Sequence, residues 1–233
     1  MPISSFEIRV CTSCGLRYPL TEGNAFGARC PHCLGETRVA LTRRIHTEKI
    51  SAKQGEDEEH EQVAVLLDNI RSAWNVGSIL RSADGFGFDH AYFCGITPTP
   101  QKEAVTKTSL GAEEFIAWSY HKDAVELIKK LKGEGWKIYA LEEGKQAVDI
   151  GLASTLRMEK AVLALGNEVT GVDPSLLKLA DEIIYIPMRG GKRSFNVSVA
   201  FAVAAYALNF RKKNRRKKST SKAETKPRTT SQQ

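Results

Sequence analysis

Two close pairs of cysteines near the start of this 233-residue chain have the spacing of a metal site. The pairs are Cys11 with Cys14 and Cys30 with Cys33. Two residues separate the members of each pair, which is typical of a zinc ion held by four thiolates in a zinc ribbon. A rubredoxin-like iron site uses the same ligands and stays open as the alternative. We therefore predict a structural zinc in a small module over residues 1–50.

Three polar segments, each directly after a predicted buried strand, hold the other candidates for chemistry. They are Asn75-Val-Gly77-Ser-Ile-Leu-Arg81, Gly166-Asn-Glu168-Val-Thr-Gly171 and the stretch from Ile186 through Ser194-Phe195-Asn196. Open α/β sheets place their sites at such strand ends. None of the segments has the spacing of a dinucleotide or ATP phosphate loop, which argues against a nucleotide-dependent redox enzyme. Taken singly, Asn75, Ser194 and Asn196 are also explained as helix caps, and Arg81 as a solvated helix residue.

An alternation of buried strands and helices must position these segments. It predicts an α/β domain over residues 63–210, with a parallel sheet covered on both faces. Strands are predicted at 63–67, 91–94, 115–120, 136–141, 161–165 and 182–188. Helices are predicted at 76–86, with Asn75 as the cap, and at 122–132, 174–180 and 195–210. The last helix is apolar nearly all round, which indicates burial on more than one side and favours a dimer interface.

The net charge of +7 is concentrated at the ends of the chain. Residues 211–233 hold ten Lys/Arg and one acid, and we predict a disordered basic tail there. Residues 51–62 are acidic and polar, as in a linker, while residues 63–210 are near neutral. This division indicates a polyanionic partner that the ends bind and the middle processes. There is neither a membrane-length apolar run nor a signal-peptide pattern, so we expect a soluble, cytoplasmic protein without a membrane partner.

The three polar segments resemble motifs one, two and three of the SpoU/TrmH RNA 2′-O-ribose methyltransferases of the SPOUT superfamily. The resemblance lies in Asn75-x-Gly77-x-x-x-Arg81, in Gly166-x-Glu168-x-x-Gly171, and in Ile186-Pro187-Met188 followed by Ser194-x-Asn196-Val197-Ser198. Order and separation both agree, over residues 63–210. The zinc ribbon and the basic tail lie outside the resemblance, so it assigns them no role.

The resemblance implies a trefoil knot in the C-terminal region, a homodimer and S-adenosylmethionine as methyl donor. It implies that the main chain at Gly166, Ile186 and Phe195 binds the adenosyl group. The ribose-hydroxyl site would use Asn75, Arg81, Glu168, Ser194 and Asn196. In our hypothesis Arg81 binds the developing oxyanion or a neighbouring phosphate, and Glu168 orients Arg81.

The predicted function is therefore methylation of a ribose 2′-hydroxyl in structured RNA, either tRNA or rRNA. RNA is favoured over DNA because the reaction needs a 2′-hydroxyl. The alternative is a catalytically inactive zinc-ribbon protein that binds RNA or the ribosome.

Overall fold

The computed structural model describes residues 5–21, 28–44, 62–152 and 160–220, with residues 209–220 as backbone only. The chain forms two compact units, residues 1–58 and residues 59–233. Of the predicted linker only Gln62 is described, and residues 221–233 of the predicted tail lie outside the described residues. Across the described ranges, no helix has the length and apolar character needed to cross a membrane.

The N-terminal unit contains a three-stranded antiparallel sheet that was not predicted. Its strands are β1 (Ser5–Cys11), β2 (Arg17–Thr21) and β3 (Thr37–Arg44), in the order β2-β1-β3. The first cysteine pair forms the turn from β1 to β2, and the second lies in the segment before β3. All of β3 after Thr37 is exposed, so it lacks the apolar alternation that marks a half-buried strand.

The C-terminal unit contains seven strands, all parallel, which confirms the prediction of a parallel α/β sheet. The strand order is β6-β5-β4-β9-β7-β10-β8. The strands are β4 (Val63–Asp68), β5 (His90–Cys94), β6 (Ala117–His121), β7 (Lys137–Leu141), β8 (Val148–Asp149), β9 (Ala161–Leu165) and β10 (Glu182–Tyr185). Every residue of β4 and β9 is buried, as their continuous apolar runs predict.

Helices cover both faces of this sheet. They are α1 (Ala73–Gly85), α2 (Glu103–Ser109), α3 (Ala124–Gly133), α4 (Pro174–Leu179) and α5 (Val197–Thr220), with a 3-10 turn at Ala112–Glu114. Val65 and Leu67 of β4 belong to the core that includes residues of α1 and α5. Leu66, on the opposite face, belongs to the core that includes residues of α3 and α4. The sheet is thus filled from both sides by alternate residues of each strand.

The start of α1 corrects one prediction. The helix begins at Ala73, and Ser72 is its cap, with its hydroxyl accepting the Asn75 N–H at 3.3 Å. Asn75 is therefore a residue of the first turn rather than the cap. Serine and asparagine cap helices about equally well, so the pattern alone did not distinguish the two positions. Because Ser72 caps the helix, the Asn75 side chain is left for other contacts.

Other element ends differ from prediction for local reasons. The strand predicted at 115–120 begins at Ala117, because the chain leaves a 3-10 turn at Phe115, and the strand predicted at 182–188 ends at Tyr185. Short α2 and two-residue β8 were not predicted. The structure continues α5 to Thr220, so residues 211–220 are helical rather than a disordered tail. Lysine and arginine are good helix formers, and no glycine or proline interrupts this segment.

One face of α5 is buried in the core and another is exposed. Phe201, Ala204, Ala205 and Leu208 are buried. Val199, Val203 and Tyr206 lie three or four residues apart on the opposite side and are 40–56% exposed. The helix therefore presents a partly exposed apolar stripe, in which the ring of Tyr206 packs edge-on against Phe86 at 6.3 Å between ring centroids.

Candidate active site

The three polar segments meet in one cavity of about 840 Å³ at the carboxyl ends of β4, β7, β9 and β10. Seven of the eight predicted donor-pocket and hydroxyl-site residues line it: Asn75, Gly166, Glu168, Ile186, Ser194, Phe195 and Asn196. The eighth, Arg81, does not. Parallel strands bring their carboxyl ends to one edge of the sheet, so segments far apart in sequence converge there.

The carboxylate of Glu168 accepts three hydrogen bonds from the start of α1. The backbone N–H of Arg71 donates to Oε2 at 2.9 Å. The backbone N–H of Ser72 and the Asn75 side-chain Nδ2 both donate to Oε1, at 3.1 Å each. A carboxylate beside the first turn also interacts favourably with the helix dipole. Glu168 therefore ties the loop after β9 to the loop after β4.

These hydrogen bonds set the ionisation of Glu168. Partial burial acts to raise the pKa of this carboxyl group, but the N–H donors of Arg71, Asn75 and Ser72 outweigh burial and lower it below its usual value. The group is therefore an anion throughout the neutral range. It is a poor proton acceptor and a good anchor for donors.

Asn75 links Glu168 to the third segment. Because its Nδ2 donates to a carboxylate, its Oδ1 is left to accept, and Asn196 Nδ2 donates to that oxygen at 3.0 Å. Asn196 Oδ1 in turn accepts the Ser198 N–H at 2.9 Å and caps α5. Each amide nitrogen keeps a second N–H that has no hydrogen-bond partner among the described residues. The second side-chain N–H groups of Asn75 and Asn196 are thus two hydrogen-bond donors at the cavity wall.

The two ends of the loop after β9 lie against each other, with Gly166 next to the backbone of Gly171 and Val172. A Cβ atom on Gly166 would overlap the carbonyl of Gly171 and the nitrogen of Val172, so only glycine fits. Asn167 holds the loop from inside, with Oδ1 accepting the Val169 N–H at 2.9 Å and Nδ2 donating to the Asn69 carbonyl at 2.7 Å. Asn167 was missed as a positioning residue, although it stands between two motif residues.

Glu142, at the end of β7, is a second residue that was missed. Its Oε2 accepts the Val172 N–H at 2.8 Å, and its Oε1 accepts the Glu143 N–H at 3.1 Å. It therefore braces the far end of the Gly166–Gly171 loop. Its position directly after a buried strand could have identified it as a site residue in the sequence.

The cavity walls combine apolar surface with charge. Leu141, Leu165, Ile186, Val197 and Ala200 supply apolar groups. Glu142, Glu143 and Glu168 supply three carboxylates, against the two arginines Arg71 and Arg193. A planar apolar group and a cation would both find favourable surroundings in this cavity.

Arg81 lies on α1 away from the cavity. It is six residues beyond Asn75, which on an α-helix means about 9 Å along the axis and a turn of roughly 240° about it. The two side chains therefore leave the helix on different faces. Arg81 is exposed and forms no ion pair within the part of the chain that the structure describes. Within one chain Glu168 binds Arg71, Ser72 and Asn75, so the expected contact between Glu168 and Arg81 is not made inside a single copy.

The four N-terminal cysteines form a second cluster, in the other unit. Their sulfur atoms all lie within 4.8 Å of one another, with Cys11 and Cys33 at 3.5 Å and Cys14 and Cys30 at 3.7 Å. These separations are too long for disulfides. The backbone N–H of Cys14 donates to the Cys11 sulfur at 3.4 Å, and this donor is the main reason that the pKa of Cys11 falls to about 6. Four converging sulfurs, one of them stabilised as thiolate, fit a tetrahedral metal ion.

The chain belongs to the SpoU rRNA Methylase family, which matches residues 62–206. It is 28% identical over 152 residues to the tRNA (guanosine(18)-2′-O)-methyltransferase of Escherichia coli (strain K12), covering 65% of each chain. It is 33% identical over 164 residues to the protein of that name from Thermus thermophilus, covering 70% of this chain and 80% of the relative. The chain thus spans just under two thirds of the first relative.

The fold is that of a solved family structure. The A. aeolicus TrmH/SpoU tRNA modifying enzyme superimposes with a TM-score of 0.60 at 25% identity, over 69% of this chain and 80% of that one. The parallel seven-stranded α/β sheet is therefore a SpoU-type sheet.

Proposed function

We propose that this chain transfers a methyl group from S-adenosylmethionine to a ribose 2′-hydroxyl of structured RNA. The single observation that carries the proposal is the hydrogen-bonded series Glu168–Asn75–Asn196, which joins all three motif segments at one cavity. The relatives support the reaction type, because those from E. coli and T. thermophilus are named as 2′-O-methyltransferases of tRNA.

The cavity fits the proposed methyl donor. Its volume lies within the range of small-molecule sites, which is about 300–1,000 Å³. Apolar residues suit an adenine ring, and the three carboxylates favour a cationic sulfur over a neutral one. The main chain at Gly166, Ile186 and Phe195 would hold the adenosyl group. When bound, the donor supplies an electrophilic methyl group whose leaving sulfur departs neutral, so no general acid is needed.

The chain's own residues then align the hydroxyl and stabilise its developing charge. The spare N–H groups of Asn75 and Asn196 are donors with fixed directions, because Glu168 and Ser198 determine how each amide is turned. Ser194 lines the same cavity and supplies a third polar group. Glu168 positions these groups and takes no proton, since its pKa is lowered. The hydroxyl proton passes to solvent or to a neighbouring RNA phosphate.

We place Arg81 in the cavity of a second copy. Its own cavity is out of reach because Arg81 leaves α1 on a different face from Asn75, and the exposed apolar side chains Val199 and Val203 of α5 are suited to a homodimer interface. In such a dimer Arg81 of one protomer would bind the oxyanion or a phosphate beside the partner's Asn75 and Asn196. Its guanidinium offers two donors in one plane for that purpose.

The trefoil knot belongs to the same proposal. β10 lies between β7 and β8, although β8 follows β7 in the chain. The connection from β7 to β8 must therefore cross the end of β10. Residues 186–196 follow β10 and lead to the start of α1, where Asn196 contacts Asn75. We infer that they thread the loop that the crossing makes.

The metal of the N-terminal unit is proposed to be zinc. Four thiolates in two close pairs suit Zn²⁺ in a site without an open position, and metal binding would supply folding energy to a unit too small for a large core. Iron in the same site is the other outcome of metal analysis.

The test is methyl transfer from radiolabelled S-adenosylmethionine to unmodified RNA. Purified full-length protein is incubated with total tRNA and, separately, with rRNA, and labelled nucleosides are identified as 2′-O-methylated or base-methylated. Label at a ribose in either pool supports the proposal. Binding of RNA without transfer, together with no binding of the donor by calorimetry, would favour the inactive zinc-ribbon protein.

A further inference from the structure

One face of the N-terminal sheet carries three arginines around an apolar centre. In the register of the sheet, Val10 of the central strand lies between Arg17 of β2 and Arg38 of β3. Two residues along, Ile8 lies between Pro19 and Leu41. The third row places Phe6 between Thr21 and Arg43. Residues paired across a sheet point to the same side, and a bulge opposite Ile8 and Arg9 adds one residue to β3, so that Arg38 and Leu41 lie on the same side although three positions apart. These nine side chains therefore form one surface, here called the arginine face.

The opposite face of the sheet contacts the segment that carries the second cysteine pair. Cys11 belongs to that side, with Glu7 and Arg9, which form an ion pair. Tyr18, also on that side, donates its hydroxyl to the carbonyl of Arg29 at 2.9 Å. The metal-binding turns therefore lie behind the sheet, and the arginine face is turned away from them.

The arginine face has an unbalanced positive charge. Arg17, Arg38 and Arg43 are all exposed, and none forms an ion pair with a described residue. The two acids of the described part of this unit are Glu7, which pairs with Arg9 on the other face, and Glu36, which precedes β3. No acid of the described residues stands on the arginine face itself.

The spacing of the charges suits an extended polyanion. Strand geometry separates Arg17 from Arg38 by about 10 Å across the sheet, and puts Arg43 about 13 Å further along it. Between them lie Phe6, Ile8 and Leu41, with Leu41 41% exposed. Cations at the corners of a surface with an aromatic and aliphatic centre match phosphates around stacked bases.

We propose that the arginine face binds the RNA substrate through its phosphates, so that the N-terminal unit is a substrate-binding module for the methyltransferase domain. This inference rests on the proposed function, which supplies RNA as the partner. It also assigns a function to the proposed zinc site, since a metal bound by the four cysteines would hold the turns at the end of this sheet.

The test compares two full-length double variants with equal loss of charge in the same unit. Arg38→Gln/Arg43→Gln removes two cations from the arginine face. Arg29→Gln/Arg44→Gln removes one from the loop before the second cysteine pair and one from β3 on the opposite face. RNA affinity is measured for unmodified tRNA over a series of salt concentrations. Zinc content and S-adenosylmethionine affinity are measured for each protein to establish that both units remain folded.

We expect the first variant to flatten the slope of log affinity against log salt by about 1.5, since each lost phosphate contact contributes roughly 0.7–0.9. The control should keep the wild-type slope and an affinity within twofold. A wild-type slope for Arg38→Gln/Arg43→Gln, or an equal loss in the control, would overturn the inference while methylation by the wild type still stood. Failure of the wild type to methylate any RNA would instead overturn the proposed function.

Discussion

Asn196 donates its side-chain N–H to the side-chain oxygen of Asn75 at 3.0 Å, although 121 positions separate them in the sequence. Asn75 can accept this hydrogen bond only because its own N–H is turned toward Glu168. The direction of each amide thus depends on the next one. Substitution at one member should disturb the other two.

Asn75→Asp should disrupt this series, because it puts a second carboxylate where Glu168 needs a donor. We expect the methylation rate to fall at least tenfold and the free energy of unfolding to fall by about 1 kcal/mol, the typical worth of a hydrogen bond. Single-turnover methylation and urea unfolding measure the two effects. Ser78→Ala, one turn later on α1, is the control and should behave like the wild type. Full activity in Asn75→Asp would remove Asn75 from the site.

Glu168→Gln should show a stability loss that depends on pH. The pKa of Glu168 is lowered in the folded chain, so its contribution is present above the ordinary carboxyl pKa and is lost as pH falls through the folded value. The difference in unfolding free energy between wild type and Glu168→Gln should be constant above about pH 5 and should shrink below it. A difference that does not change down to pH 3 would mean that the carboxylate charge is irrelevant.

Gly166→Ala should weaken donor binding, because its Cβ would overlap backbone atoms of Gly171 and Val172. We expect the affinity for S-adenosylmethionine to fall more than tenfold and stability to fall by about 1–3 kcal/mol, as for other overpacked positions. Gly190→Ala is the control, since no atom lies within 4 Å of its added Cβ. Isothermal titration compares the three proteins. Equal affinities of Gly166→Ala and the wild type for S-adenosylmethionine would show that donor binding tolerates a displacement of the Gly166–Gly171 loop.

Arg81→Lys should abolish most methyl transfer and leave donor binding intact, because lysine keeps the charge and loses the planar pair of donors. The expected loss is roughly two to three powers of ten in rate. Mixing Arg81→Lys with Asn75→Ala protein, each inactive alone, tests which protomer supplies the arginine. If Arg81 serves the partner's cavity, mixed dimers regain one complete site and activity returns. No recovery in mixed dimers of demonstrated composition would contradict that arrangement.

If the four-cysteine cluster holds the proposed metal, its removal should make four thiols reactive and leave the fifth, Cys94, protected. Cys94 is fully buried, and burial raises the pKa of its thiol to about 12, so it should not react near neutral pH. We expect four cysteines to react with a thiol reagent after chelation of the metal, and all five to react only after denaturation. Cys14→Ser should lose the metal without chelator. Five reactive thiols in the native chelated protein would mean that the two units do not unfold separately.

The sheet was predictable because its strands are buried on both faces and leave continuous apolar runs such as Val63–Leu67. The cavity was predictable because polar segments follow those runs. The six-residue spacing of Asn75 and Arg81 does predict that they leave α1 on different faces, since six residues turn the helix by roughly 240°. Which of those faces lines the cavity was not readable from the sequence. The strands β1 to β3 were missed because, apart from Cys11, their residues are only partly buried or exposed and leave no continuous buried apolar run.

The position of β4 has a consequence for how the protein is made. β4 pairs on one side with β5, which follows soon after it, and on the other with β9, in which Ala161 lies opposite Val63. During synthesis the edge of β4 that pairs with β9 therefore stays without a hydrogen-bonding partner strand until β9 has left the ribosome. Pairings this far apart in sequence form slowly and leave intermediates prone to aggregation. We expect the chain to depend on chaperones during synthesis, whereas its N-terminal unit, complete within residues 1–58, can fold while the rest is still being made.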